Sequence, residues 1–128
     1  MAGSKWDDYG LESKIRAELR DVQRQSRKAN HKFDPPFITA YQLAIALVDK
    51  DKELCDKLAM PLGGKDSGEV ETLPRYLANQ LSRRIHAGEI EDIEGVFLSV
   101  KSIKHLAFTH DVIAAATEPF SLFRLKTE

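Results

Sequence analysis

Cysteine is almost absent from this sequence, since Cys55 is the only one among 128 residues. A single cysteine cannot form an intrachain disulfide, which excludes the frameworks that hold many small secreted domains together. Long apolar runs are also missing. The longest, Leu43 to Val48, is far too short to cross a membrane, and residues 1–10 contain no stretch typical of a secretory signal. We therefore expect a cytoplasmic protein without a membrane partner.

The sequence also lacks a large net charge of either sign. Its 19 Lys and Arg residues nearly balance 20 Asp and Glu residues, which leaves a net charge of −1. This balance argues against bulk electrostatic capture of nucleic acid or of an anionic membrane, so such a partner would need a local basic patch. The composition is otherwise that of a globular domain, with 42% apolar and 30% charged residues. The chain is long enough to bury a core without metal or disulfides.

Hydrophobic periodicity predicts three or four helices in the first two thirds of the chain. Apolar residues spaced by three and four predict the first helix over about Asp7 to Lys28. Thr39 is a suitable N-cap for a second, which the charged stretch Asp49 to Glu53 either continues or breaks into two. The third helix is the clearest, with Thr72 as its N-cap and Gly88 just past its end.

After the third helix the pattern changes to that of strands. Val96 to Val100, Ile103 to Thr109 and Phe120 to Lys126 carry β-branched and aromatic residues and predict three strands. Asp111 to Thr117 is compatible with helix, strand or loop. Helices followed by strands indicate an α+β fold, in which a small antiparallel sheet of about three strands is covered by helices.

The third predicted helix has a polar face, and no acidic residue lies between Thr72 and Gly88. Arg, Asn and Gln side chains can read base edges through paired hydrogen bonds, while Ser and Arg reach phosphates. This face carries Arg75, Asn79, Ser82, Arg83 and His86, flanked by Gln80 and Arg84. Of these we take Arg75, Asn79, Gln80, Arg83 and Arg84 as candidate nucleic-acid contacts.

The first predicted helix adds a second basic stripe. Arg16, Arg20 and Arg24 are spaced by four, would share one face, and could follow a phosphate backbone. The alternative interpretation of both basic faces is a solvated helix surface that only confers solubility.

A polar, basic helix before a small sheet is similar to a winged-helix pattern, in which a recognition helix is followed by a wing. The similarity covers roughly Thr39 to Lys126 and rests on the order of the elements. It implies a non-enzymatic nucleic-acid-binding module. We treat residues 1–128 as a single domain, with an N-terminal helix and connector over 1–34, a helical part over 37–88 and a sheet part over 94–126.

The C-terminal segment gives a second hypothesis, self-association. In a strand, Phe120 and Leu122 face one way and Phe123 and Leu125 the other, so both faces need cover. Such a strand is either the centre of the sheet or part of an interface with a second copy of the chain. The second case predicts a homodimer that uses the sheet and these four residues.

Recognisable catalytic and metal-binding motifs are missing. The histidines at positions 31, 86, 105 and 110 do not pair at zinc-ligand spacing, and Cys55 completes no ligand set. The glycine-rich stretch Leu62 to Gly68 does not match a phosphate-binding loop. The acidic stretch Glu89 to Glu94 lacks the spacing of a calcium loop. The sequence therefore supports no catalytic residue, cofactor or metal, and by itself does not determine the function.

Overall fold

The computed structural model describes residues 4–27, 35–62, 72–109, 112–114 and 120–126. Within these ranges there are five helices and five short strands. The helices are α1 (Lys5–Asp8), α2 (Leu11–Arg27), α3 (Ala40–Lys50), α4 (Leu54–Leu58) and α5 (Leu73–His86). The strands are β1 (Ile38–Thr39), β2 (Ile93–Phe97), β3 (His105–Ala107), β4 (Val112–Ala114) and β5 (Ser121–Leu125).

Three of the strands form an antiparallel sheet in the order β1, β5, β2, which makes β5 the central strand. In this register Phe123 of β5 lies between Ile38 on one side and Gly95 on the other. Strands β3 and β4 form a separate antiparallel pair. The predicted α+β class with a small antiparallel sheet is therefore confirmed, although β1 precedes three of the helices instead of following them.

The hydrophobic core lies between the helices and one face of the sheet. The leucine and isoleucine stripes of α2, α3 and α5 meet there, because each helix buries the apolar side of its 3.6-residue period. Core side chains with no more than 2% exposure include Leu11, Ile15, Leu43, Leu77, Leu81, Ile93 and Phe123. In the described part of the chain, no helix is both long and apolar enough to span a membrane.

The first predicted helix, Asp7 to Lys28, is two helices in the structure. Helix α1 ends at Asp8, and the chain turns at Gly10, whose φ of +58° lies in the left-handed region that favours glycine. Helix α2 then begins at Leu11. The turn allows Trp6 of α1 to pack into the core with 3% exposure. The spacing of apolar residues does not indicate this break, because Leu11 continues the helical periodicity across it.

The charged stretch Asp49 to Glu53 breaks the second helical region in two. Helix α3 begins with a capping box, in which the Thr39 hydroxyl accepts from the Gln42 N–H and the Gln42 side chain accepts from the Thr39 N–H. It ends at Lys50, after which Asp51 is extended and its carboxylate accepts the Glu53 N–H at 3.2 Å. Helix α4 then continues the buried leucine stripe.

The third predicted helix is confirmed as α5. The Thr72 hydroxyl accepts from the Arg75 N–H at 3.4 Å, and Pro74 lies in the first turn, where its missing N–H does no harm. Gly88 follows the helix with φ +80°, as expected of a glycine beyond a C-cap.

Strand boundaries differ more from the predicted ones. Strand β2 covers residues 93–97, three residues before the predicted Val96 to Val100. Gly95, which directly precedes the predicted strand, lies inside β2. A Cβ atom there would be 3.0 Å from Phe123 Cε1, so the ring occupies the space of the missing side chain. The predicted strand Ile103 to Thr109 is the shorter β3, which pairs with β4 and not with the main sheet.

The packing of the sheet predicts that the same substitution lowers stability strongly at one phenylalanine and hardly at all at another. Phe123→Ala should lower the free energy of unfolding by about 3–5 kcal/mol, because it leaves a cavity in the core. Phe97→Ala should change it by less than about 0.5 kcal/mol, because that ring is 74% exposed. Urea unfolding followed by circular dichroism measures both, and equal effects would contradict the described packing.

Candidate functional site

Helix α5 has an exposed polar face opposite its buried leucines. Leu73, Leu77 and Leu81 are fully buried, and no acidic residue occurs in the helix. The side chains exposed on the opposite side are Arg75, Asn79, Ser82, Arg83 and His86. This set matches the face predicted from periodicity. It offers hydrogen-bond donors and positive charge, with no carboxylate on the helix to repel a phosphate.

Arg84, a predicted nucleic-acid contact, uses its guanidinium for contacts with other residues of the protein. Its Nη1 donates to a Glu89 carboxylate oxygen and its Nη2 to Gln80 Oε1, each at 3.2 Å. The guanidinium carbon lies 4.6 Å from the centre of the Trp6 ring, a cation–π distance. Arg84 therefore joins the end of α5 to α1, and it also engages Gln80, another predicted contact.

Arg16, predicted as a phosphate contact, is also held by carboxylates. Its Nε donates to Glu12 at 3.1 Å, and its Nη1 donates to Asp92 at 2.5 Å. The second ion pair connects α2 to the residue just before β2. Hydrogen bonding from Arg16 holds the pKa of Asp92 below its usual range, against the opposing effect of partial burial. The Arg16–Asp92 pair therefore has a role within the fold.

The remaining members of the α2 stripe are exposed. Arg20 is exposed, and its charge also lowers the pKa of Asp92. The Arg24 side chain is 71% exposed, and its Nη1 lies 3.6 Å from Asp21 Oδ1. Arg16 is therefore paired within the chain, while Arg20 and Arg24 face solvent.

Two of the cavities that adjoin α5 lie on the side of the helix that faces the sheet. The larger, about 450 Å³, lies between α5, the start of α3 and the end of the sheet, and its polar lining includes Arg75, Asn79 and Ser82. The smaller, about 290 Å³, lies between the second half of α5 and β2, and His86 lines it. Ser82 and Phe97 line both cavities, so the two form neighbouring parts of one surface.

Three aromatic rings anchor the segment between β2 and β5 beside the larger cavity. Tyr41 of α3 stacks on Phe108 with ring centres 5.2 Å apart, and Phe120 lies 6.3 and 6.4 Å from these two rings. Tyr41 and Phe120 also line the larger cavity, and Phe108 directly follows β3, so the end of β3 that leads to β4 lies beside this cavity. Lys101 and Lys104 are exposed on the same segment, just before β3.

The predicted interface residues of the C-terminal segment lie mostly inside the chain. Phe120 and Phe123 are each 2% exposed and Leu125 is 9% exposed, while Leu122 is half-buried. The central position of β5 explains why both of its faces need cover, and the chain itself supplies most of it.

Metal-ligating side chains form no cluster in the described ranges. These ranges contain no group of three or more His, Cys, Asp or Glu residues placed to hold a metal. His86 and His105 are exposed, and His31 and His110 lie outside the described residues. Burial raises the pKa of the Cys55 thiol, which is the opposite of what an activated nucleophile needs.

Comparison of the chain with protein-family models, with curated proteins and with solved structures found no match.

Asp92→Asn should make the free energy of unfolding less dependent on pH under acidic conditions. A carboxylate with a depressed pKa in the folded state stabilises the fold above its unfolded pKa, and this contribution is lost as the pH falls through the folded pKa. The unfolding free energy of the parent should therefore fall more steeply than that of the variant between about pH 5 and about pH 2. Urea unfolding across this range measures both slopes.

Glu91→Gln is the matched control, since Glu91 is an exposed neighbouring carboxylate with no ion pair among the described residues. It should keep the parent slope. Identical profiles for the parent and Asp92→Asn would mean that Arg16 does not stabilise the charged form of Asp92.

Proposed function

We propose that this protein is a non-enzymatic nucleic-acid-binding module of winged-helix type, which contacts double-stranded DNA through α5. The observation that carries the proposal is the exposed face of that helix, where Arg75, Asn79 and Arg83 lie with no acidic residue in the helix. An α-helix fits the major groove, and Asn and Arg can each form paired hydrogen bonds with base edges there.

The winged-helix part of the proposal is argued from the order of the elements alone. Helix α5 is followed by β2, then by the β3–β4 pair, then by β5, which returns to the sheet. In this arrangement α5 takes the place of a recognition helix and the β3–β4 pair takes the place of a wing. The aromatic cluster of Tyr41, Phe108 and Phe120 holds this wing beside α5.

Exposure defines the proposed contact surface. Arg75, Asn79 and Arg83 belong to it because they are exposed on α5, and the exposed Lys101 and Lys104 join them as phosphate contacts from the wing segment. Arg16, Gln80 and Arg84 are half-buried and are left out. With so few cationic contacts, we expect moderate affinity and a moderate dependence on salt.

Self-association is the second candidate, and it has one observation in its favour. Strand β2 lies at the edge of the sheet and carries two exposed apolar side chains, Val96 at 44% and Phe97 at 74%. An edge strand presents backbone groups to which a second copy could pair. Light scattering at high protein concentration tests this candidate, because a protein that stays monomeric does not use the edge in that way.

Two neighbouring arginines provide a matched test of the α5 surface. Arg83→Gln should weaken binding to duplex DNA about tenfold and leave stability unchanged, because Arg83 is exposed. Arg84→Gln should lower the unfolding free energy by about 1 kcal/mol, because it removes the contacts to Glu89 and Trp6. Its DNA affinity should stay within about twofold of the parent.

Fluorescence anisotropy with a labelled duplex at about 50 and 200 mM salt measures the affinity, and urea unfolding measures the stability. The absence of salt-sensitive binding by the parent, or equal losses of affinity in the two variants, would contradict the assignment of α5 as the contact surface.

A further inference from the structure

Phe97 is the most exposed large apolar side chain in the described part of the chain, at 74%. It ends β2, and its pairing with Ser121 places it on the same face of the sheet as Gly95 and Phe123. Single exposed apolar residues are common on protein surfaces. Phe97 differs because it lines both cavities next to α5, beside the polar side chains of that helix.

The groove next to Phe97 combines an aromatic ring with hydrogen-bonding side chains. Asn79, Ser82 and Ser121 line the larger cavity together with Phe97, and Arg75 adds a positive charge. Neither cavity has an Asp or Glu in its lining. A volume of about 450 Å³ lies within the range of small-ligand sites, roughly 300–1,000 Å³.

This combination fits a planar group with apolar faces, polar edges and an attached anion, which describes a nucleobase with its phosphate. Bases stack on aromatic side chains, and an Asn amide can pair with a base edge. An apolar peptide side chain would fit less well, because it would leave the Asn79 amide and the serine hydroxyls without partners.

We propose that Phe97 and this groove bind an unpaired nucleobase, so that the protein prefers nucleic acid with a base displaced from the helix over a fully paired duplex. A base within an intact duplex has both faces covered by its neighbours and cannot stack on Phe97. This inference rests on the proposed function, since α5 supplies the contacts to the flanking nucleic acid.

The test compares a labelled duplex with the same duplex carrying one unpaired 2-aminopurine. The parent should bind the second DNA at least about fivefold more tightly, the smallest effect expected of one stacked base. Phe97→Ala should abolish this preference and keep the affinity for the perfect duplex. Phe97→Tyr should retain the preference, because its ring also stacks.

Val96→Ala is the matched control. Val96 lines the smaller cavity but not the larger one, and its alternation with Phe97 places it on the opposite face of β2, so the substitution should leave both affinities unchanged. The fluorescence of the unpaired 2-aminopurine gives a second readout. It should change when the parent binds, since stacking alters the environment of the base, and this change should be lost with Phe97→Ala.

Equal affinity of the parent for the two DNAs, or an unchanged preference in Phe97→Ala, would overturn the inference. If the perfect duplex still binds through Arg83, the proposed function of α5 stands, so the two failures are distinguishable. No binding to either DNA would overturn both. A Phe97→Ala variant that turns a dimer into a monomer and keeps the parent's preference would assign the ring to self-association and would also overturn the inference.

Discussion

The packing of Phe123 against Gly95 at the centre of the sheet is the contact on which the remaining architecture depends. The ring occupies the space of the missing Gly95 side chain, so a side chain at position 95 would have to displace it from the face of the sheet that packs on the helices. Strand β1 leads directly into α3, and β2 follows α5, so pairing both strands with β5 fixes the two helices relative to each other. The exposed face of α5 is therefore oriented by the sheet.

Arg124 reinforces this arrangement from the other face of β5. Its Nε donates to Glu94 on β2 at 2.5 Å, and its Nη1 donates to the Pro35 carbonyl at 2.8 Å. The guanidinium carbon also lies 4.2 Å from the centre of the Phe37 ring. One side chain thus joins β5 to β2 and to the segment before β1, which adds fixed cross-links to an otherwise small sheet.

Features that depend on local pattern could be predicted from the sequence. The apolar stripes, the Thr72 cap and the face of α5 all follow from residues within a few positions of one another. Features that depend on distant partners could not. Arg16 meets Asp92 across 76 residues, and Arg84 packs on the distant Trp6 while its neighbour Arg83 is exposed. The place of Gly95 inside β2 could not be predicted either, because its partner, Phe123, is distant in sequence.

We propose that the exposed face of α5 is the nucleic-acid surface. An NMR titration of ¹⁵N-labelled protein with an unlabelled duplex can test this proposal, because every assigned backbone amide reports on its own surroundings. We expect the largest chemical-shift changes in residues 75–86 and around Phe97 to Lys104. Changes confined to α2 or β1, or no changes at low salt, would contradict it.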